Sequence, residues 1–179
     1  SQVNECNEII MATLFTDSVI SNLVDDLDYI HLGGLLSIFS SGRPLNKNKK
    51  KNIHDFSDEN IYFNKKLEPV IKYIEEKCKK FSDLETYNKL YTGSYWNINK
   101  YVINATIDWL KGDSFENVIE KYDFYEGNLF KDLIKIYNLS AEISRIAEIL
   151  DKNNLAIEAE KIRDCIIRDV VNIESLYIK

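Results

Sequence analysis

The sequence predicts an all-α fold, a bundle of helices, and three observations predict it. Breakers are scarce, with 6 Gly and 2 Pro in 179 residues, which disfavours a turn-rich β architecture. Apolar residues recur at threes and fours along most of the chain, the spacing of one helix face. No stretch shows a convincing period of two. The length suits a single domain over residues 1–179, and a hydrophobic content of 45% is enough for a real core.

Taken in order, "NECNEIIMATLFTDSVISNL" places Ile9, Ile10, Leu14, Val19 and Leu23 at roughly helical spacing, with a break expected near Thr16-Asp17. "DDLDYIHLGGLLSIF" carries acidic residues at its front, where the helix dipole favours them. Gly33-Gly34 inside it costs on the order of 1 kcal/mol each relative to Ala, which close helix packing would explain. Gly42 and Pro44 end this helix. A flexible polar loop is expected over 41–60, the most basic segment of the chain. Leu67, Val70, Ile71, Ile74 and Cys78 then share a helical face, with Pro69 expected in the first turn, where its missing N–H is harmless.

The stretch from Ser82 to Trp96 reads as weak helix or irregular. "INKYVINATIDWLKG" is clearer, with Ile98, Val102, Ala105 and Trp109 at near-fours and Gly112 as its stop. Asp113, with Glu116 three residues on, is expected to cap a short helix reaching Tyr122. After a turn at Asp123–Gly127, a long helix should run from about Glu126 to Leu150, its apolar stripe formed by Leu129, Leu133, Ile136, Ile143, Ala147 and Leu150. A last helix, from Leu155 to about Val171, should bury Leu155, Ala159, Ile162, Ile166 and Val170, with the tail "NIESLYI" packing back on the bundle.

Much chemistry is excluded. The net charge of −6 argues against a free-standing nucleic-acid binder with a broad basic face, though not against a local basic strip. There is no Gly-rich phosphate cradle, no zinc-protease helix and no nucleophile elbow, so no catalytic residue is assigned. Cys6, Cys78 and Cys165 are far apart and, with His31 and His54, make no metal spacing. The plain expectation is a reduced, intracellular chain, cytoplasmic or nuclear, without a membrane span or a cofactor of its own. It begins Ser-Gln-Val-Asn rather than with Met, as a piece of a larger polypeptide would.

The long helix carries the one suggestive pattern. Lys131, Lys135, Asn138, Glu142 and Arg145 recur at threes and fours opposite the apolar stripe. One reading is a solvated face. The other is a ridge that meets a nucleic-acid strand, with Lys131, Lys135 and Asn138 as contacts.

The stretch "DWLKGDSFENVIEKYDFYEGNLFKDLIKI" resembles two linked motifs, roughly E-W-x-x-G-x-S-F and E-G-x-[IV]-x-R-x-x-[RK]-R-L. The ending "IIRDVVNIESLYI" resembles I-x-R-D-I-V-x-x-x-S-L-Y-L, and the start, through "LLSIF", is similar to the opening of the same family. That family is the DSHCT domain, the C-terminal helical domain of superkiller-type and exosome-cofactor DExH-box RNA helicases. The match is ordered from near the first residue to the last and is loose between about Ser40 and Ser94. It singles out Trp109, Gly112, Phe115, Glu126, Gly127, Arg168 and Asp169 as structural motif positions.

The resemblance implies a function for a larger protein: 3′-to-5′ movement on single-stranded RNA, driven by ATP and Mg in RecA-like domains upstream, feeding an RNA-degrading complex. The long helix would act as a ratchet on the threaded strand. Lys131 falls on the first Arg after E-G, and Lys135 on the Arg before the motif Leu, here Ile136. Both keep the charge but lose the planar guanidinium fork. Ile134 has lost the charge, Tyr137 and Asn138 stand where acidic residues are usual, and Ser40-Ser41-Gly42-Arg43 replaces a stretch usually acidic or Gln-bearing.

Two other readings remain open. A helix-turn-helix could read duplex DNA through Glu126 to Lys135, although an acidic start suits that poorly. A protein-docking scaffold would show no effect on nucleic acid.

Overall fold

The computed structural model describes residues 10–43, 45, 61–90 and 98–177, with the side chains of 61–64 and 168–177 outside the description. The described residues form helices and connecting turns. α1 spans 10–15, α2 Ser18–Val24 and α3 Tyr29–Leu36, followed by a short 3₁₀ turn, Ser37–Phe39. α4 is Ile61–Tyr87, α5 Ile103–Leu110, α6 Phe115–Tyr122, α7 Glu126–Ile149 and α8 Asn153–Tyr177.

The break between α1 and α2 falls where expected, because the Asp17 carboxylate accepts the N–H groups of Val19 and Ile20 and starts a new helix. Asp28 caps α3 in the same way, accepting from His31 N–H at 2.9 Å. α3 is the hub. His31, Leu32, Gly33, Gly34, Leu35 and Leu36 are all buried, the pattern of a helix surrounded on every side. It packs against α4, α5, α7 and α8. The glycine pair makes the α5 crossing possible: a methyl group on Gly33 would collide with Leu110 Cδ1, and one on Gly34 would meet Ile107 at 2.9 Å.

Two apolar clusters result. The larger gathers α1–α4, the rear of α7 and α8 around Phe15, Leu32, Leu35, Ile74, Ile143 and Ile162. The smaller lies under α5, α6 and the front of α7, built on Trp109, Phe115, Val118, Tyr122, Phe124, Leu129 and Leu133. α7 and α8 form the most extensive helix pair.

Several expectations need correcting. Pro69 lies inside α4, two turns past its first residue, instead of in the first turn. A helix can lose one ladder bond when the residues around it, Leu67, Val70, Ile71, Ile74 and Cys78, are buried in the core. Ile98 to Lys100 are not helical, because Asn99 is committed elsewhere: its N–H bonds Ile38 O at 2.7 Å and its side chain bonds the chain after α3. Asp113 does not cap α6. Its N–H closes onto Asp108 O at 3.1 Å, while Gly112 N–H closes onto Trp109 O at 3.0 Å, so Asp113 belongs to the Schellman ending of α5. Gly112 supplies the positive φ of 105° that this ending needs. Ser114 is the cap, accepting from Asn117 N–H.

Leu150 is 41% exposed, since the turn through Asp151, at φ 56°, carries it off the buried stripe. α8 begins at Asn153 and its backbone runs on to Tyr177, through the stretch expected to fold back as a tail. Leu155, Ala159, Ile162 and Ile166 are buried as expected. Val170, the side chains of the tail and nearly all of the loop expected over 41–60 lie outside the described residues.

Candidate nucleic-acid interface

The site is built on α7. Tyr125 precedes it in extended conformation, and Asp123, in the left-handed region at φ 58°, turns the chain out of α6. From there Leu129 and Leu133 enter the small cluster, and Ile136, Leu139, Ile143 and Ala147 enter the large one. At about 100° per residue this leaves Lys131, Lys135 and Asn138 within one narrow sector of the opposite side. Lys131 and Asn138 are exposed and Lys135 is half-buried.

The ridge is not uniform. Arg145 donates from Nε and a terminal nitrogen to Glu142 Oε2 at 3.1 and 3.0 Å, so its rear half pairs its own charges. Its cationic character rests on Lys131 and Lys135. Tyr137 turns to α8, where Arg163 donates to its hydroxyl at 3.3 Å and lies over its ring at 5.1 Å.

The other motif positions fall into separate roles. Trp109, 3% exposed, meets the edge of Phe115 with ring centroids 5.6 Å apart. Beside them the Asp108 carboxylate accepts the Tyr122 hydroxyl and the Lys121 ammonium, the latter at 2.8 Å, tying α5 to α6. Burial and that carboxylate push the Tyr122 phenol far above its ordinary range. Glu126 lies in the first turn of α7, where its charge suits the helix dipole. Gly127 is exposed, and a side chain there would meet nothing. Arg168 and Asp169 belong to α8, with side chains outside the description.

Sequence reasoning missed a strap. Residues Ser40 to Arg43, with Leu45, lie beyond the 3₁₀ turn and cross the front of α7. Asn99 Nδ2 donates to Ser40 O at 3.2 Å and Gly42 O at 2.8 Å, and Leu45 N–H bonds Asp123 O at 2.7 Å. Asp132, 3% exposed on α7, accepts Ser41 N–H at 3.3 Å, and its second oxygen faces Gly42 so closely that a methyl group there would collide with it. Burial pushes the Asp132 carboxyl up to about 6, against the opposing pull of Ser41 N–H, the Lys135 charge and Gly42 N–H. Arg43, next on the strap, lies 4.8 Å over the Tyr101 ring. A signal existed: Asp132 stands three residues after Leu129 and four before Ile136, a carboxylate on the apolar side of its helix.

Among the described residues no group of His, Cys, Asp and Glu could hold a metal ion, and no helix is long and apolar enough to cross a membrane. Cys78 is buried and its thiol is pushed up to about 11 by burial and by Glu75, which removes it as a nucleophile near neutral pH.

The chain belongs to the DSHCT (NUC185) domain family, which matches residues 1–174. It is similar to the DExH-box ATP-dependent RNA helicase DExH10 of Arabidopsis thaliana, with 22% identity over 171 residues, 92% of this chain and 16% of that protein. The chain therefore spans about one-sixth of the length of this curated relative.

Proposed function

We propose that this chain is the C-terminal helical domain of a superkiller-like, ATP-dependent 3′-to-5′ RNA helicase, and that its α7 ridge contacts the RNA strand. Family membership over nearly the whole chain carries the reading, and the exposed Lys131 beside half-buried Lys135 and exposed Asn138 supports the choice of face. The domain supplies no catalytic group. ATP and Mg are held by RecA-like domains elsewhere in the helicase, and this chain packs on them as a wall of the RNA channel. The whole assembly delivers unwound RNA to a degrading complex.

On this reading Lys131 and Lys135 act as phosphate contacts, and Asn138 as a hydrogen-bonding neighbour to sugar or base. The test is unwinding by the complete helicase and single-strand affinity as a function of salt. Replacing both Lys131 and Lys135 with Ala should slow unwinding and lower the slope of log affinity against log salt by about 1.4, roughly 0.7 per lost contact. Unchanged unwinding and an unchanged slope would remove α7 from the RNA path. Tight, sequence-dependent binding to duplex DNA would instead favour a helix-turn-helix.

A further inference from the structure

The strap and α7 meet at one buried carboxyl. We propose that Asp132 is a proton-controlled clasp: neutral, it holds Ser41 and Gly42 against α7; ionised, it draws water in and loosens the strap that carries Arg43.

The geometry makes a clasp of it. Asp132 is 3% exposed on the apolar side of α7, yet its nearest partners belong to a segment outside any helix, about 90 residues earlier in the chain. That segment belongs to neither α3 nor α7, and Asn99 and Asp123 hold it besides Asp132. The groups around the carboxyl come from three places. On α7, Lys135 stands one turn further on and its charge acts on Asp132. On the strap are the Ser41 and Gly42 N–H groups and, just beyond, the Arg43 guanidinium over Tyr101. From the approach to α5 come Val102, apolar, and the uncharged amide of Asn99. Desolvation therefore outweighs the Lys135 charge at the carboxyl.

The sign follows from linkage. With the strap down, the carboxyl titrates near 6; with the strap raised, water restores an ordinary carboxylate near 3.8. The proton thus favours the held state, and the strap loosens as pH rises through about 6, by at most on the order of 100-fold. Because Arg43 lies within two residues of the clasp and Lys135 one turn along α7, the same step changes how two cations are presented. That last consequence rests on the proposed RNA face; the clasp itself does not.

Two arms separate them. In this 179-residue chain without nucleic acid, carbon-13 NMR should show Asp132 titrating near pH 6. Amide protection of Ser41 and Gly42 should fall about tenfold between about pH 5 and about pH 8. Asp132→Asn should abolish that fall. An Asp132 inflection below about pH 4.5 overturns the clasp, and this measurement needs no variant to fold. So does an identical course of protection in the wild type and Asp132→Asn. In the second arm, affinity for a short oligouridylate is followed over the same pH range. A several-fold difference in pH response between wild type and Asp132→Asn supports the link to the RNA face. Identical responses with intact binding overturn that link. If oligouridylate is not bound while the first arm succeeds, the clasp stands and the RNA reading fails.

Discussion

The turn region from Asp108 to Gly127 and the strap of Ser40 to Arg43 with Leu45 lie at the same end of the molecule but are built in opposite ways. In the turn region most bonds join residues close in sequence: Gly112 to Trp109, Asp113 to Asp108, Asn117 to Ser114, Lys121 and Tyr122 to Asp108. In the strap nearly every anchor is distant: Asn99, Asp123 and Asp132. The first region carries its structure in local rules and can form early and tightly. The second exists only when three helices are already assembled, so it is the natural place for a part that moves.

The largest effect expected should come from the local region. Trp109→Ala removes the centre of the small cluster and should cost about 3–5 kcal/mol in denaturant unfolding, enough to threaten folding. A loss below about 1 kcal/mol would mean that the cluster is not a cooperative part of the fold. Next is the pH dependence of global stability. The Asp132 carboxyl is raised on folding, so its contribution is complete below about pH 4 and is lost as pH climbs through about 6. The wild type should lose up to about 3 kcal/mol across that window, beyond what Asp132→Asn loses. Matching curves would mean that the carboxyl is hydrated already. Asn99→Ala should cost about 2 kcal/mol by stranding the carbonyls of Ser40 and Gly42, and it should raise exchange at Ser41 before it affects α5. Ser114→Ala should cost about 1 kcal/mol and Asp113→Ala clearly less, which checks the corrected cap by thermal unfolding. Lys131→Ala with Lys135→Ala should change stability least, within about 0.5 kcal/mol for exposed Lys131 and somewhat more for half-buried Lys135.

The same contrast explains what was legible in the sequence. The helices, the Gly112 stop, the α6–α7 turn and the buried stripes of α4, α7 and α8 follow from spacing and caps within a few residues. The close α3–α5 crossing was foreshadowed by Gly33-Gly34, an otherwise costly pair. Two of the errors came where tertiary contacts overrode a local preference, and a third where two local motifs competed. Pro69 marks a boundary by propensity, yet packing carries the helix through it. Ile98 continues an apolar period, yet Asn99 is held by Ile38 O. Asp113 is a good cap taken by the preceding helix. Of the candidate site, the ridge of Lys131, Lys135 and Asn138 could be read from helical spacing alone. The self-pairing of Glu142 with Arg145 needed side-chain geometry, and the strap with Asp132 needed the tertiary fold.

α7 has a mechanical consequence. Its 24 residues make a rod of roughly 36 Å, seated at the front in one apolar cluster and at the rear in another. Lys131 lies over the front seat and Lys135 where the two seats meet, so the rod is supported directly beneath the ridge. A load applied there bends the rod little and passes into both clusters, pressing α5 and α6 on one side and the α3–α8 core on the other. Stiffness, more than grip, is what this placement gives the ridge.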